Sequence, residues 1–160
     1  PGAAYGPAKQ WPVDNFRQVA DAWTAEGGRV VVVGTNAERD AAVEIIDPRS
    51  NNLNLCGKTS LSQLMAVLKT VALCVANDSG AMHLAAGLGT PGVAIFGSTN
   101  PDATGPLGAP WVVLANPPAC APCFARECQR PANRYQCLTA ITPDHVMQAL
   151  TFLEKRRHVA

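Results

Sequence analysis

No hydrophobic run in this 160-residue chain is long enough to cross a bilayer, and no segment has the form of a secretory leader. Excess charge of either sign is missing too, since 13 Lys and Arg stand against 12 Asp and Glu. With 48% apolar residues, that balance excludes a disordered tail, and the lack of a basic stripe excludes a nucleic-acid module. No Gly-x-Gly-x-x-Gly follows any candidate strand, which argues against a plain dinucleotide dehydrogenase. Gly57-Lys58-Thr59 has the ending of a phosphate-binding P-loop, but Asn52 stands where the upstream glycine should be, so a P-loop is rejected. An initiator Met is also lacking. The chain opens on loop-like Pro1-Gly2, and the expectation is a piece excised from a longer protein.

What is present fits one domain with a real core. Residues 1–12 hold three Pro, two Gly and a lone cation, Lys9, which makes them a loop by composition. Asp14 is expected to cap a helix in which Phe16, Val19, Ala20 and Trp23 recur at helical spacing, with Gly27-Gly28 as its stop. Arg29 to Gly34 is a β-branched run whose unbroken apolarity suggests a strand covered on both faces. A helix follows from about Ala37 to Ile46, with Glu38 in its first turn. Asp47 to Asn52 is a turn, and Leu53 to Cys56 a short strand. Leu61, Leu64, Met65 and Leu68 should form the apolar face of the next helix. Val71 to Ala76 and Gly92 to Gly97 read as buried strands, and Trp111 to Leu114 as an edge strand. Thr142-Pro143-Asp144 opens a last helix that ends in the solvated Lys155-Arg156-Arg157-His158. Strand and helix alternate over short connections, which implies an α/β fold with a parallel sheet wound by right-handed crossovers. Its ligand-bearing loops then lie at the carboxyl edge of the strands.

Asn77-Asp78-Ser79-Gly80-Ala81-Met82-His83-Leu84-Ala85-Ala86 sits at such an edge, between a strand and a helix. The first N–H groups of a helix have no internal partners, so with the helix dipole they attract anions. Asp78 or Ser79 can be the N-cap, Gly80 lets a ligand approach the backbone, and Ser79 and His83 share a helix side. Half of a phosphate-and-sugar pocket is one explanation. A capped helix with a surface or core His83 is the other. Lys9 can reach a phosphate or be merely solvated, and Glu38 can bond ribose hydroxyls or simply complement the dipole. Asp78, Ser79 and His83 cannot make a hydrolase triad, because three members within one helix start cannot place the base between nucleophile and acid.

Six cysteines complete the inventory. Cys56 and Cys74 sit in apolar surroundings as small core residues. Cys120, Cys123, Cys128 and Cys137 cluster in a loop over 115–140, with the spacing C-x2-C-x4-C-x8-C. Nothing points to secretion, so reduced thiols or a structural zinc are favoured over disulfides.

Together, residues 1–12, the 77–86 stretch, Gly89-Thr90-Pro91 and Phe96-Gly97-Ser98-Thr99-Asn100-Pro101 resemble the carboxyl-terminal half of ADP-heptose:lipopolysaccharide heptosyltransferases, glycosyltransferase family 9. The cysteine loop with Cys137-Leu138 is similar to that of the heptosyltransferase II branch. The resemblance implies a Rossmann-like parallel sheet with helices on both faces, one half of a GT-B glycosyltransferase. Residues 1–160 would form a single donor-binding domain, the amino-terminal acceptor domain being absent. It implies inverting, metal-independent transfer of L-glycero-D-manno-heptose from ADP-heptose to the lipopolysaccharide inner core, without a cofactor. The site would be cytoplasmic, with peripheral contact at the inner membrane. By the same resemblance, Lys9 meets the diphosphate and Asp78 the donor sugar, as the two catalytic assignments. Ser79 and Gly80 offer backbone to the phosphates, His83 is the motif histidine, and Glu38 and Thr59 hold the nucleoside. The base belongs to the other domain, so this half alone transfers nothing. Epimerases of like architecture, or a glycosyltransferase for another sugar, are the rival within the fold. A zinc-stabilised binding module is the rival outside it.

Overall fold

The computed structural model describes residues 1–47 and 49–157. Pro48 of the 47–52 turn and His158 of the basic tail lie outside the described residues.

Helix α1 (Val13–Ala25) buries Phe16, Val19 and Ala20, as their spacing demands. Its N-cap is Pro12, not Asp14, which stands in the first turn. A proline fixes its own φ near the value a helix entry needs, and the acid then serves the dipole from inside. Strand β1 (Val31–Val32) pairs in parallel with β2 (Leu53–Asn54), Val31 opposite Leu53. Regular pairing is shorter than the apolar run. Even so, Leu53 N–H bonds Val30 O, Leu55 N–H bonds Val32 O and Gly57 N–H bonds Gly34 O, extending the contact along most of it. Helix α2 (Arg39–Ile45) lies between them, entered by a 3-10 turn over Asn36–Glu38.

Helix α3 (Leu61–Thr70) begins with a capping box between Ser60 and Gln63. Its expected apolar face is covered only in part. Leu68 is buried, while Leu61 and Met65 are exposed. Periodicity marks an apolar stripe but cannot say how much of it a neighbour covers, and α3 packs mainly on α4.

Strands β3 (Cys74–Asn77), β4 (Gly92–Phe96) and β5 (Trp111–Ala115) form a second parallel sheet with β4 in the middle. All five residues of β4 are buried. Val93 and Ile95 join the larger core under α1, α2 and the last helix, α7 (Pro143–Arg157), whereas Ala94 and Phe96 meet Met82 on the other face. Helices therefore cover both faces, as an unbroken apolar strand requires. The single sheet expected is two, because Val71-Ala72-Leu73 stay irregular and β3 starts too late to bond β1. An apolar cavity of about 400 Å³, lined by Val31, Val33, Leu73 and Val75 among others, lies there.

Helix α4 (Gly80–Gly87) follows β3 directly. A short α5 (Pro101–Thr104) follows β4, and α6 (Gln136–Thr139) lies within the stretch read as the cysteine loop. Thr142 caps α7 as expected, its hydroxyl accepting the His145 N–H. No described helix is long and apolar enough to cross a membrane.

Candidate functional site

The loop before α1 is held rigidly. Trp11 is 1% exposed, donates its indole N–H to Ile141 O at 2.8 Å and meets the Phe16 ring edge-on. Asn77, at the end of β3, is equally buried and accepts the Trp11 backbone N–H at 3.0 Å. Its amide N–H groups reach back to the carbonyls of Pro1 and Gly2. Ala8 O accepts the Ser98 N–H just past β4. The loop is thus fastened across the carboxyl ends of β3 and β4, and Lys9 ends its 3-10 turn there.

Asp78 extends the ladder one step beyond β3, its N–H bonding Ile95 O at 3.1 Å. Lys9 Nζ stands 2.6 Å from Asp78 Oδ2, the two side chains being 13% and 4% exposed. Thr99 Oγ1 donates to the same oxygen at 2.6 Å. Asp78 Oδ1 accepts no hydrogen bond among the described residues, and it is not sealed from solvent. Taking both charges out of water is costly, and close approach with a third donor offsets that cost. The Lys9 ammonium keeps further N–H donors for another acceptor.

Beside this pair opens α4. Ser79 is its N-cap but makes no side-chain cap bond, and a Cβ added at Gly80 would meet nothing within 4 Å. His83, one turn on, is exposed. Lys9, Asp78, Ser79 and Gly80 therefore come together at one strand edge. Glu38 lies at the next. Its Oε2 accepts from the N–H and hydroxyl of Thr35 in a capping box, and its carboxyl end lies against Gly2. It borders a separate cavity of about 370 Å³ with Gln10 and Trp11. Thr59 is half-buried in the 57–60 loop beside Asn36, and no hydrogen bond joins it to Lys9 or Asp78.

Thr99, Asn77, Tyr5 and Arg126 shape the surroundings of Lys9 and Asp78 without having been picked out as site residues in the sequence. Thr99 and Asn77 act through the bonds just given. Tyr5 lies under two cations, Lys9 Nζ at 4.7 Å and Arg126 Cζ at 5.4 Å from its ring centre. Tyr5 OH donates to Phe124 O, Phe124 N–H to Ser98 O and Ala8 N–H to Arg126 O, so residues 124–126 strap the cysteine loop over the Lys9 turn. Phe124 adopts a left-handed φ of 53° to do so, leaving its ring exposed. The hydroxyls at 98–99 were the available signal for Thr99. For the strap there was none, because contacts over such separations leave no local pattern.

All six cysteines are free. Among the described residues no three of His, Cys, Asp and Glu are grouped to hold a metal ion. Main-chain N–H groups of Tyr135 and Arg130 draw the Cys128 thiol below its usual pKa. Burial, with help from Cys123, Cys128 and Cys120 nearby, pushes Cys137 up, and burial alone takes Cys74 to about 11.

A profile of glycosyltransferase family 9 (heptosyltransferase) matches residues 1–133. The chain is similar to lipopolysaccharide heptosyltransferase 2 of Escherichia coli, 34% identical over 158 residues that cover 96% of this chain and 45% of that protein. It is similar to lipooligosaccharide heptosyltransferase 2 of Haemophilus ducreyi, 32% identical over 160 residues, with 96% and 46% covered. Among solved structures, that of E. coli ADP-heptose lps heptosyltransferase II superposes with a TM-score of 0.84 at 32% identity, covering 99% of this chain and 46% of that one. The chain thus spans about half the length of the curated relatives it matches.

Proposed function

The chain belongs to glycosyltransferase family 9, and on that premise we propose that residues 1–160 are the donor-binding domain of a metal-independent, inverting heptosyltransferase. The donor is ADP-heptose and the acceptor is the lipopolysaccharide inner core. Acceptor and catalytic base meet on the partner half that the longer relatives contain. Transfer takes place on the cytoplasmic side, with peripheral contact at the inner membrane.

Departure of ADP places developing charge on the β-phosphate. Lys9 and the N–H groups of Ser79 and Gly80, which have no partner among the described residues, are preorganised to receive it, and losing one donor of this kind costs about 10²–10³ in kcat. Asp78 Oδ1, an acceptor without a partner among the described residues, fixes a sugar hydroxyl. Thr99 holds that carboxylate still, and His83 lines the approach along α4. Glu38 takes ribose hydroxyls through its second oxygen, and Thr59 adjoins the nucleoside.

The observation that supports this reading is the 2.6 Å Lys9–Asp78 pair beside the open start of α4. The test is calorimetry of the full-length protein with ADP, UDP and ADP-heptose, followed by a transfer assay on a heptose acceptor. Preference for ADP and transfer of heptose are expected. Preference for a uridine donor overturns the assignment.

A further inference from the structure

We propose that Arg126, in the cysteine loop, is a second cation for the donor diphosphate. The inference rests on the proposed function, which puts that diphosphate at Lys9. The site needs another positive charge. Lys9 is neutralised by Asp78 at 2.6 Å, and the start of α4 supplies only about half a charge. A sugar diphosphate is negative on both of its phosphates.

Arg126 is placed to supply it. Its carbonyl accepts the Ala8 N–H at 3.0 Å, next to Lys9 in sequence. Gly6 lies so close beneath that a Cβ there would stand 2.7 Å from Arg126 O. Two more bonds, Phe124 N–H to Ser98 O at 2.8 Å and Tyr5 OH to Phe124 O, fix the strap on either side of the turn. The guanidinium and the Lys9 ammonium both lie over the Tyr5 ring, so their separation cannot exceed the sum of their distances to its centre. Arg126 is exposed and has no carboxylate in ion-pair range among the described residues. The Tyr5 ring is therefore shared by two like charges, one of them without a carboxylate partner among the described residues. A planar guanidinium grips phosphate oxygens in pairs, which an ammonium cannot do.

The experiment measures binding of ADP, adenosine and inorganic pyrophosphate to the full-length protein and its Arg126→Ala, Arg126→Lys and Phe124→Ala variants, with a thermal melt of each. Arg126→Ala is expected to weaken ADP and pyrophosphate about tenfold or more and to leave adenosine within about twofold. Arg126→Lys should recover part of the loss. Phe124→Ala, which keeps the strap's main-chain bonds, should bind ADP normally. Unchanged ADP affinity in Arg126→Ala overturns the proposal, and so does an equal loss of ADP and adenosine, which marks a structural strap only. Should the unaltered protein prefer another nucleoside diphosphate to ADP, the donor assignment fails, and the Arg126 contrast is read on that nucleotide instead.

Discussion

Lys9 and Asp78 cancel each other's charge at 2.6 Å, and Asp78 is the more deeply buried partner. Removing one charge is therefore not equivalent to removing the other. Lys9→Met strands a buried carboxylate and is expected to cost about 3–5 kcal/mol of stability. Asp78→Asn should cost less, because the Lys9 side chain can swing toward water. The double variant Lys9→Met/Asp78→Asn should regain much of what Lys9→Met loses, while all three lose ADP affinity. Urea unfolding and calorimetry on the four proteins check this, and strictly additive stability losses would contradict the pairing.

Two adjacent hydroxyls should behave in opposite ways. Thr99 donates to Asp78 at 2.6 Å, so Thr99→Val should cost about 1.5–3 kcal/mol, the worth of a hydrogen bond to a charged group, and should weaken donor binding. Ser98 Oγ is the one buried side-chain polar atom without a partner among the described residues. Ser98→Ala removes a group already unsatisfied and should leave the melting temperature unchanged or raise it. Thermal melts of the two variants, run side by side, are sufficient.

Glycines 80 and 97 make a similar contrast. Space around Gly80 is open, so Gly80→Ala should stabilise α4 by about 0.5–1 kcal/mol while its methyl obstructs phosphate approach and lowers ADP affinity. At Gly97 a Cβ would sit 2.6 Å from Ala8 O and 2.8 Å from a Leu138 methyl. Gly97→Ala should destabilise by about 1–3 kcal/mol and displace the Lys9 turn. Equal stability of these two variants would refute the packing described.

Thiol alkylation should follow the shifts in pKa. Cys128, held below its usual value by main-chain N–H groups, is expected to label before Cys56, Cys74 and Cys137, all raised by burial. The nucleophile is the thiolate, so a thiol far below its pKa gains about tenfold in rate per pH unit, and one near or above it gains less. From about pH 7 to about pH 9 the relative gain should be largest for Cys74, whose pKa is about 11. Peptide mass spectrometry of the native protein after timed iodoacetamide treatment reads the order.

The 77–86 stretch was legible because its information is local. A buried strand, short polar residues and an apolar helix occur in that order within one peptide. β4 was legible because burial on both faces leaves an unbroken apolar run. Thr99 carried no role of its own in the sequence, since its partner lies 21 residues away. Arg126 carried no signal at all, because it reaches the Lys9 turn through main-chain bonds that any residue could make. Leu61 and Met65 show the converse failure. Their spacing announced a face, but how much of that face is covered depends on packing partners outside the helix.

Trp11 reaches from the first loop to Ile141, the residue that precedes the cap of α7. Opening and closing segments of the chain are thereby riveted at one point, directly behind the lysine turn. A fusion partner, purification handle or neighbouring module attached at either terminus would pull on that same rivet. Displacing that rivet would thus shift the turn that carries Lys9, the residue proposed to meet the diphosphate.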